Sequence, residues 1–398
     1  MTAAGTRTGP VTVIVPLPPS YRGGTEEYAY RVAARVHREI PVRIVTTDVR
    51  AGQDPVHLPV EGLELQTLHG RELFQRPVVS GTGRKTLRRL VESSGLIHLH
   101  MPFPWIERQV AVWARRHGIP VVLTYHMDAD FAAATGLRAA AVVTSAYRQL
   151  SALPALRRSD AVVSNSAGYA RASPVLKRFL PKVKVIAKGV DVDRLGISPG
   201  ELSAPHRPAA DPELFPGCGP ESRRVVFVGR LVAYKGLPVL VEAVRRLVAQ
   251  GGDVRLFIAG RGPLLGALQS QVLAAKLTEH VRFLGFVPDD RLGSLYRGAD
   301  VVACPSVSLL ESTATCLEEA AACGVPVLGS ALPGTEETVP SDGIHGYLAR
   351  PRDPDSVTEG LRLLLSRPRP GDRLPFRTWD DTARQYVALF CGLLPHGP

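Results

Sequence analysis

Short runs rich in Val, Ile and Leu alternate along the chain with amphipathic stretches of helical length. In the first half the apolar runs are VTVIVPL, VRIVTTD, LIHLHM, PVVLTYH, AVVSNS and VKVIAKGV, and stretches such as EEYAYRVAARVHREI separate several of them. The pattern restarts after residue 222 with RVVFVGR, VRLFIAG, VRFLGFV, DVVACPS and PVLGSA. Because alternating strands and helices build parallel sheets with helices on both faces, the pattern predicts an α/β protein with a Rossmann-like unit in each half.

A Pro- and Gly-rich segment separates the two halves. It reads GISPGELSAPHRPAADPELFPGCGPESRR, a composition typical of an interdomain linker or a long surface loop. The predicted domains are therefore residues 1–195 and 223–375, with a linker at 196–222. A last helical pattern, TWDDTARQYVALFCGLL, follows a Pro- and Arg-rich turn, and residues 376–398 are expected to pack away from the second sheet.

Chain length and composition agree with two globular domains. At 398 residues the chain exceeds the size at which one core keeps growing, and 45% hydrophobic and 21% charged residues are ordinary values for soluble proteins. The start MTAAGTRTGP lacks the apolar core of a secretory signal, and no apolar run is long enough to span a bilayer, so we expect a cytoplasmic protein. The five cysteines form no CxxC pair, which predicts reduced thiols packed as small apolar side chains.

A net charge of +11 predicts attraction to phosphate groups, whatever molecule carries them. Aromatic residues make up only 6% of the chain and do not interleave with arginines as in RNA- or DNA-binding modules, so nucleic acid is not an expected partner. The segment RASPVLKRFLPKVKVIAKGV, residues 171–190, contains six cations and no acid. It either contacts anionic lipid headgroups or forms a solvated basic face, and the sequence leaves both interpretations open.

Charged side chains follow two strand-like runs of the second half, where each run ends. This position matters because ligands of open α/β sheets bind beyond the carboxyl ends of the strands. Arg230 closes RVVFVGR and Lys235 lies five residues later, so the two cations could neutralise a diphosphate with help from a helix N-terminus. Taken alone, they could equally be two solvated surface cations. After DVVACPS come Glu311, in a loop, and Glu319, in the first turns of the next predicted helix.

The helix that contains Glu319 is predicted to begin between Thr313 and Thr315 and to end at Gly324. Thr315 and Glu318 have the spacing of a capping box, in which each side chain bonds a backbone N–H near the other. Gly324 suits the left-handed position that follows a helix. Because the residues before the helix are small, their backbone N–H groups are expected to be accessible to a ligand.

These segments resemble those of the retaining glycosyltransferases of family 4, which have the GT-B architecture of two facing Rossmann-like domains with a cleft between them. The two glutamates followed by EAAACGVPV are similar to the family's E-x7-E signature, and VGRLVAYKG is similar to its donor-phosphate loop. YRGGTEEYAYRVA, IHLHMPFP, VLTYHMDAD, VIAKGVDVDRL and FIAGRGPL follow in the family's order. The resemblance covers most of the chain, and it implies that the last helix crosses back to the N-terminal domain.

The resemblance implies a role for each matching residue. Arg230 and Lys235 would bind the donor's phosphates and stabilise the leaving diphosphate, with neither a metal nor another cofactor. Glu319 would accept hydrogen bonds from the ribose, and Glu311 would contact the transferred sugar. The other implied contacts to the donor come from Gly23, Gly24, Ser312, Thr313, Ala314 and Thr315, and His126 would lie near the sugar and the acceptor. For His98 and His100 a position in the core is the simpler interpretation.

Three departures from the family's pattern concern the choice of substrate. Residues 312–314, Ser-Thr-Ala, replace an aromatic-Gly sequence, Lys188 replaces an Asn, and Arg261 replaces an Asp. These changes affect the expected identity of the donor more than the expected reaction.

The implied reaction is the transfer of a hexosyl group, with retention of configuration, from a nucleotide diphosphate sugar to an acceptor hydroxyl. The favoured donor is UDP-linked glucose or N-acetylglucosamine. The favoured acceptor is a small molecule, such as an aminocyclitol or another natural-product or cell-wall precursor, and the Ala-, Arg-, Gly- and Pro-rich composition would suit antibiotic biosynthesis in a high-GC bacterium. The alternative is a GDP-mannose-dependent transferase with a lipid acceptor at the membrane surface. From other classes, a sugar phosphorylase or epimerase and a noncatalytic sugar-nucleotide-binding protein remain open.

Overall fold

The computed structural model describes residues 9–19, 23–49, 63–73, 76–130, 140–197, 211–219, 221–370 and 372–394. The chain divides into two compact units, the first formed by residues 1–188 with 379–398 and the second by residues 189–378. Each unit is built on its own parallel β-sheet flanked by helices. The predicted α/β class with two Rossmann-like units is therefore confirmed.

The first unit contains a parallel sheet, a small antiparallel ribbon and flanking helices. Its strands are β1 (Val11–Ile14), β2 (Val42–Thr47), β3 (Glu64–Leu68), β4 (Gly70–Leu73), β5 (Arg76–Val79), β6 (Leu96–Met101), β7 (Val121–Tyr125), β8 (Ala161–Ser164) and β9 (Val183–Val185). Its helices are α1 (Gly24–Val36), α2 (Gly81–Glu92), α3 (Ile106–Arg116), α4 (Ala140–Tyr147), α5 (Leu153–Arg158) and α6 (Ala167–Ala172). A π-helical turn at Arg148–Ala152 joins α4 to α5. The sequence predicted the main strands but not β3 or the ribbon of β4 and β5.

The first sheet has the strand order β3-β2-β1-β6-β7-β8-β9, and all its neighbours are parallel. The order reverses between β1 and β6, because the chain builds outwards from β1 on one side and then returns to its other side. In the buried strand β6 the side chains alternate between the two faces. Leu99 and Met101 join one hydrophobic cluster, whereas His98 and His100 face the opposite side of the sheet.

The loop that follows β6 is held by the buried carboxylate of Glu107, on α3. This carboxylate accepts hydrogen bonds from Phe103 N, Tyr147 Oη and Ser151 Oγ, each at 2.7 Å. The side chain is completely buried, and burial raises the pKa of Glu107 to about 7. Glu107 thus joins the β6–α3 loop to the end of α4 and to the π-helical turn.

The second unit repeats the same plan. Its strands are β10 (Arg223–Val228), β11 (Val254–Ala259), β12 (Val281–Gly285), β13 (Val301–Cys304), β14 (Val327–Ser330) and β15 (Gly346–Ala349). Its helices are α7 (Val192–Leu195), α8 (Leu237–Ala249), α9 (Leu265–Ala274), α10 (Asp289–Gly298), α11 (Thr315–Ala322) and α12 (Pro354–Leu365). The sheet order is β12-β11-β10-β13-β14-β15, which is 3-2-1-4-5-6 when the strands are numbered within the unit. This is the doubly wound Rossmann order.

The division between the units differs from the predicted boundaries. Residues 189–195 belong to the second unit, where Val190 N donates to Arg377 O at 2.7 Å and Leu195 is completely buried. Residues 198–210 and 220 of the predicted linker lie outside the described residues. Phe215, in its described part, is 2% exposed and packs edge-on against Phe257 with the ring centroids 5.0 Å apart. This part of the segment therefore belongs to the core of the second unit.

The last helix, α13 (Trp379–Cys391), belongs to the first unit. Tyr386 is completely buried there, and its hydroxyl lies 3.0 Å from that of Tyr28 on α1 and 2.8 Å from Thr124 Oγ1 on β7. Phe390 is also completely buried and packs against the ring of His98. Helix α13 thereby covers the face of the sheet on which the histidines of β6 lie.

All five cysteines are free thiols, and Cys304, Cys316 and Cys323 are buried in the second unit. This agrees with the prediction of thiols that pack as small side chains. Among the helices that the structure describes, none is long and apolar enough to cross a membrane.

Candidate functional site

The loops that leave β10 and β13 lie side by side at the point where the strand order of the second sheet reverses. Strands β10 and β13 pair in parallel, and Val307 N in the second loop donates to Tyr234 O in the first at 2.8 Å. The first loop carries Arg230 and Lys235, and the second carries Glu311. Ligands of doubly wound sheets bind at such a reversal, so the fold places the predicted cations and the first glutamate where a ligand site is expected.

Lys235 and Glu311 form an ion pair between these two loops. Lys235 Nζ contacts Glu311 Oε2, which also accepts a hydrogen bond of 2.9 Å from Ser306 Oγ. Both side chains are largely buried, with 12% and 7% of their surface exposed. Burial favours a lower pKa for Lys235, but electrostatic interaction with the Cys304 sulfur and the Glu311 carboxylate outweighs it, and the pKa of Lys235 is raised well above its usual range. Lys235 is therefore a buried, permanent positive charge.

The two loops approach closely because of Gly236. This residue has φ +71°, and a Cβ atom there would lie 1.9 Å from the carbonyl oxygen of Pro305. A side chain would therefore push the loops apart. Arg230, on the same loop as Lys235, is exposed. The loop thus offers one buried and one exposed cation.

Glu319 lies in the first turns of α11 and is bound by two side chains that the sequence analysis did not single out. Arg194 Nη2, on α7, contacts Glu319 Oε1, and Tyr296 Oη, on α10, donates to Glu319 Oε2 at 2.8 Å. Glu319 is 6% exposed. Both carboxylate oxygens are therefore hydrogen-bonded within the second unit.

Arg194 and Tyr296 were missed because both are far from Glu319 along the chain. The one signal in the sequence was the position of Arg194 within VIAKGVDVDRL, a segment that follows the family's order. No local pattern links an arginine to a carboxylate that is 125 residues away.

The predicted capping box at the start of α11 is wrong. Ala314 occupies the N-cap position, and Thr315 is the first residue of the helix. The carbonyl of Ala314 accepts hydrogen bonds from Leu317 N at 2.9 Å and from Glu318 N at 3.3 Å. Ala314 is completely buried in the core, so packing of its methyl group fixes where the helix begins.

The predicted end of α11 is confirmed. Gly324 has φ +71°, in the left-handed region, and Val325 N donates to Ala320 O at 3.0 Å. Gly324 N also donates to Ala321 O at 2.9 Å. These two bonds form the Schellman motif, which satisfies the last carbonyls of a helix.

The Ser-Thr-Ala triplet before α11 has only partial access to solvent. Ser312 is half-buried, Thr313 is 8% exposed, and Ala314 is completely buried. Gly334 packs on this segment so closely that a Cβ atom there would lie 1.8 Å from Ser312 O. Thr315 is half-buried. The side chain of Ala314 faces the core, which leaves only its backbone for contact with a ligand.

The predicted glycines of the first unit lie at the start of α1. Gly23 is the N-cap residue, and its carbonyl accepts a hydrogen bond of 2.9 Å from Glu27 N. Gly24 opens the helix, and a Cβ atom there would meet no atom of the described residues within 4 Å. Residues 20–22, just before them, lie outside the described residues.

His126 follows β7 in the first unit and contacts His100 on β6. His126 Nε2 lies 2.9 Å from His100 Nδ1. Burial lowers the pKa of His126 to about 3, and the positive charge of Lys188 acts in the same direction. His126 is therefore neutral near pH 7. His98 and His100 are completely buried, as expected for core histidines.

The basic segment predicted to meet anionic headgroups is only partly exposed. Its exposed cations are Arg171, Lys177, Arg178 and Lys184. Lys182 Nζ instead donates to Arg157 O and Ser159 O at 2.9 and 2.7 Å, and Lys188 acts on His126. Leu180 and Val185 are 40% and 44% exposed beside these cations. The segment thus presents both charge and apolar surface.

Comparison with known proteins identifies the family to which this chain belongs. Residues 22–194 match the family described as Glycosyltransferase Family 4, and residues 217–376 match the family described as Glycosyl transferases group 1. A D-inositol 3-phosphate glycosyltransferase of Nocardia farcinica is 32% identical over 92% of this chain and 81% of its own length. The D-rhamnosyltransferase WbpZ of Pseudomonas aeruginosa is 27% identical over 73% of this chain and 69% of its own length.

Solved structures with the same fold extend over nearly the whole chain. HepE of Anabaena, in complex with UDP and glucose, has a TM-score of 0.64 and 16% identity, and covers 96% of this chain and 95% of its own. The sucrose-phosphate synthase of Thermosynechococcus elongatus has a TM-score of 0.67 and 19% identity, and covers 96% of this chain and 94% of its own. The chain therefore belongs to the family 4, group 1 glycosyltransferases, which are sugar-transferring enzymes of the GT-B fold.

Proposed function

We propose that this enzyme transfers a glucosyl or N-acetylglucosaminyl group from a UDP-sugar to a hydroxyl group of a small acceptor, with retention of configuration. An aminocyclitol or a related natural-product or cell-wall precursor is the acceptor class that we favour. Two similarities support the proposal: the Nocardia relative is named for an inositol phosphate, and HepE has been solved with UDP and glucose.

The observation that carries the proposal is the Lys235–Glu311 pair at the reversal of the second sheet. A buried cation and a buried carboxylate lie on adjacent loops there, in reach of the start of α11. In the proposed complex Lys235 and Arg230 bind the diphosphate, while Glu311 turns to the sugar hydroxyls and supports the positive charge that develops on the ring. The backbone of residues 312–315 completes the contacts to the sugar and the phosphates.

The other predicted positions take further parts of the donor. Glu319 accepts hydrogen bonds from the ribose hydroxyls, and its contacts with Arg194 and Tyr296 hold it ready for them. Gly23 and Gly24, which have no side chains, allow the backbone to approach the diphosphate. His126 contacts the transferred sugar. The anomeric configuration is retained if the acceptor attacks from the face that the diphosphate leaves, with the leaving phosphate taking the acceptor's proton. Arg230 and Lys235 then neutralise the diphosphate, the task that a metal ion would otherwise perform.

Thermal stability in the presence of nucleotides tests the donor site. The protein is to be heated with UDP, UDP-glucose, UDP-N-acetylglucosamine or GDP-mannose, with calorimetry as the readout. A ligand at one hundred times its dissociation constant adds about 2.7 kcal/mol to the stability of the unit that binds it, a shift of about 5 to 10 °C. Lys235→Met is expected to abolish the shift, because it removes the buried charge but keeps the chain length.

Two further variants make that experiment specific. Because Lys235→Met alone leaves Glu311 without its partner, Lys235→Met/Glu311→Gln is included as a charge-matched variant. Lys276→Ala changes the other lysine of the second unit, which is exposed, and is expected to keep the full shift. An undiminished shift in both Lys235 variants would refute the phosphate assignment.

Product analysis tests the reaction itself. The anomeric configuration of the product, measured by NMR, is expected to match that of the donor, and an inverted product would rule out the proposal. A chelator is expected to leave the rate unchanged. A protein that binds UDP but turns over no donor and acceptor would instead be a noncatalytic nucleotide-sugar-binding protein.

One observation favours a second candidate, a GDP-mannose-dependent transferase with a lipid acceptor. The exposed cations Lys177, Arg178 and Lys184 are close along the chain to the exposed Leu180 and Val185, a combination found on proteins that dock to anionic membranes. Sedimentation with anionic vesicles at low and high salt separates the two candidates. Binding at low salt that is lost at high salt and in Lys177→Gln/Lys184→Gln would support the lipid acceptor, and no binding at low salt would remove it.

A further inference from the structure

Three histidines cluster along two neighbouring strands of the first sheet, from the middle of one to just beyond the carboxyl end of the other. His98 and His100 lie on β6, and His126 follows β7. His98 and His100 have no exposed surface, whereas His126 keeps 6%. Of the three, His126 is thus the histidine that a ligand can reach, and the other two lie behind it.

His100 holds His126 by a hydrogen bond and by packing of the two rings. Nδ1 of His100 lies 2.9 Å from Nε2 of His126, and the two rings are nearly parallel, with an interplanar angle of 18° and centroids 5.2 Å apart. The ring of Tyr28 packs edge-on against both, with its centroid 5.1 Å from that of His126 and 6.0 Å from that of His100. Neither imidazole can rotate without losing the hydrogen bond or these ring contacts.

The other nitrogen of His100 decides the direction of this hydrogen bond. Within the described part of the chain, His100 Nε2 is buried and has no hydrogen-bond partner. In a neutral imidazole one nitrogen carries the proton and the other is a bare acceptor. A buried N–H group without a partner is rarer in proteins than an unused acceptor. The favoured tautomer of His100 therefore carries its proton on Nδ1, and that N–H donates to Nε2 of His126.

The protonated, charged forms of these three histidines are not populated near neutral pH. Burial lowers the pKa of His98 and of His126 to about 3 and that of His100 well below its usual range. The charge of Lys188 adds to the effect on His126, and the neighbouring histidines add to it for His100. Among the described residues, those that pack against His126 or act on its charge are His98, His100, Tyr28 and Lys188, and none of these four carries a carboxylate that would favour an imidazolium.

We propose that His100 is a positioning residue that fixes His126 as a neutral imidazole with its proton on Nδ1. The inference rests on the proposed function, in which His126 contacts the transferred sugar. Because Nε2 of His126 accepts from His100, the atom left for a substrate is the Nδ1–H donor. His126 then donates a hydrogen bond to a ligand oxygen and does not remove a proton from the acceptor hydroxyl, a task left to the leaving phosphate.

Nitrogen NMR of histidine-labelled protein tests the tautomer without any activity assay. Two-bond correlations from the ring carbon protons distinguish a protonated from a bare ring nitrogen, and His126→Gln identifies the His126 signals by their loss. Between pH 7.5 and 5.5 we expect Nδ1 of His126 to resonate as protonated and Nε2 as bare. A proton on Nε2, or an imidazolium, would overturn the proposal. Either result is independent of which sugar is transferred.

Two substitutions of His100 separate positioning from a structural role. The amide of His100→Asn can still place an N–H near Nε2 of His126, whereas His100→Leu cannot. His126 is therefore expected to keep its tautomer in the Asn variant and to move towards the Nε2–H form in the Leu variant. The same pattern in both variants would count against positioning. Should the Leu variant not fold, the spectra of the wild type and the Asn variant still decide.

Kinetics then link the tautomer to the reaction. With UDP-glucose or UDP-N-acetylglucosamine, His100→Leu is expected to lower kcat about tenfold, the loss expected for one hydrogen bond, while KM for the donor changes little. His100→Asn is expected to recover most of that rate. Equal rates in the two variants would overturn the proposal. If the thermal shift with UDP is also absent, the proposed function fails as well, so the two failures can be distinguished.

Discussion

The buried histidines of the first unit should lower its free energy of unfolding as the pH falls. Replacing one of these histidines should make that decrease smaller. His98 and His126 are neutral in the folded protein down to about pH 3, whereas the unfolded chain binds protons at these sites below pH 6.5. Because the unfolded state takes up more protons, the free energy of unfolding falls as the pH is lowered from 6.5 towards 3. His100 acts in the same direction.

The expected loss of unfolding free energy depends on how far the pH lies below 6.5, the pKa of a histidine in the unfolded chain. Each pH unit corresponds to about 1.4 kcal/mol for one proton, so at pH 5 each of the two histidines removes about 2 kcal/mol of stability. Together they remove about 4 kcal/mol, a large share of the 5–15 kcal/mol that typically stabilises a domain. The carboxyl of Glu107, whose pKa burial raises to about 7 in the folded state, acts in the opposite direction and offsets about 2 kcal/mol of this loss between pH 7 and pH 5. These three groups together should therefore make the first unit about 2 kcal/mol less stable at pH 5 than at pH 7, and it should unfold at a lower urea concentration.

Tryptophan fluorescence can follow this unit alone. The chain has three tryptophans, Trp105, Trp113 and Trp379, and all lie in the first unit. Urea unfolding curves at pH 7, 6 and 5, recorded by fluorescence, give the free energy of unfolding of that unit at each pH. The second unit does not contribute to the tryptophan signal.

Two variants isolate the contribution of His98, whose Nε2 lies 2.7 Å from Thr124 Oγ1. His98→Gln keeps a polar group near Thr124 but cannot take up a proton, so its loss of stability between pH 7 and 5 should be about 2 kcal/mol smaller than that of the wild type. Thr124→Val removes the hydrogen bonds to His98 and to Tyr386 but no group that titrates between pH 7 and 5, so it should be less stable at every pH with an unchanged pH dependence. A His98→Gln variant with the wild-type pH dependence would refute the reasoning.

Three further predictions concern single contacts. Glu107→Leu should lower the free energy of unfolding of the first unit by about 3 kcal/mol or more, because three buried donors lose their acceptor. Glu107→Gln keeps one acceptor oxygen and should cost less. Equal losses of the two variants in urea unfolding would contradict the assigned hydrogen bonds. Gly334→Ala should lower the melting temperature and weaken binding of UDP-sugars, whereas Gly266→Ala, where a Cβ meets nothing within 4 Å, should do neither. Arg194→Met should destabilise the second unit by about 3 kcal/mol, measured by calorimetry, because it leaves the buried charge of Glu319 without its cationic partner. Adding Glu319→Gln removes that charge and should restore part of the lost stability. No recovery in the double variant would show that breaking the Arg194–Glu319 pair does not cause the loss.

The fold was largely predictable because its signals are local. Each buried parallel strand is a continuous apolar run, and the helix between two strands has its own periodicity, so the sequence marks the elements one by one. Strand β3 was missed because ELQTL is polar. Only its last residue is buried, so the segment lacks the continuous apolar run by which the other strands were predicted. Strand β15 was missed because GYLA is short and begins with a glycine.

Contacts within the candidate site were predictable only where the fold itself brings the residues together, whatever their separation along the chain. Lys235 and Glu311 follow adjacent strands of the predicted sheet, so the fold alone brings them together. The contact of Arg194 with Glu319 depends on where α7 packs, and no periodicity encodes that. The capping error had a similar cause, because burial of Ala314 outweighed the local preference for Thr at the cap.

The return of α13 to the first unit also sets the order in which the chain can fold during its synthesis. Residues 189–378 leave the ribosome before residues 379–391 do, so the second unit can form its sheet while the first is still incomplete. Until the last helix emerges, Tyr386 cannot reach Thr124 and the face of β6 that bears the histidines lacks its cover. Until residues 379–391 have been made, the nascent first unit therefore lacks the helix that covers this face of its sheet.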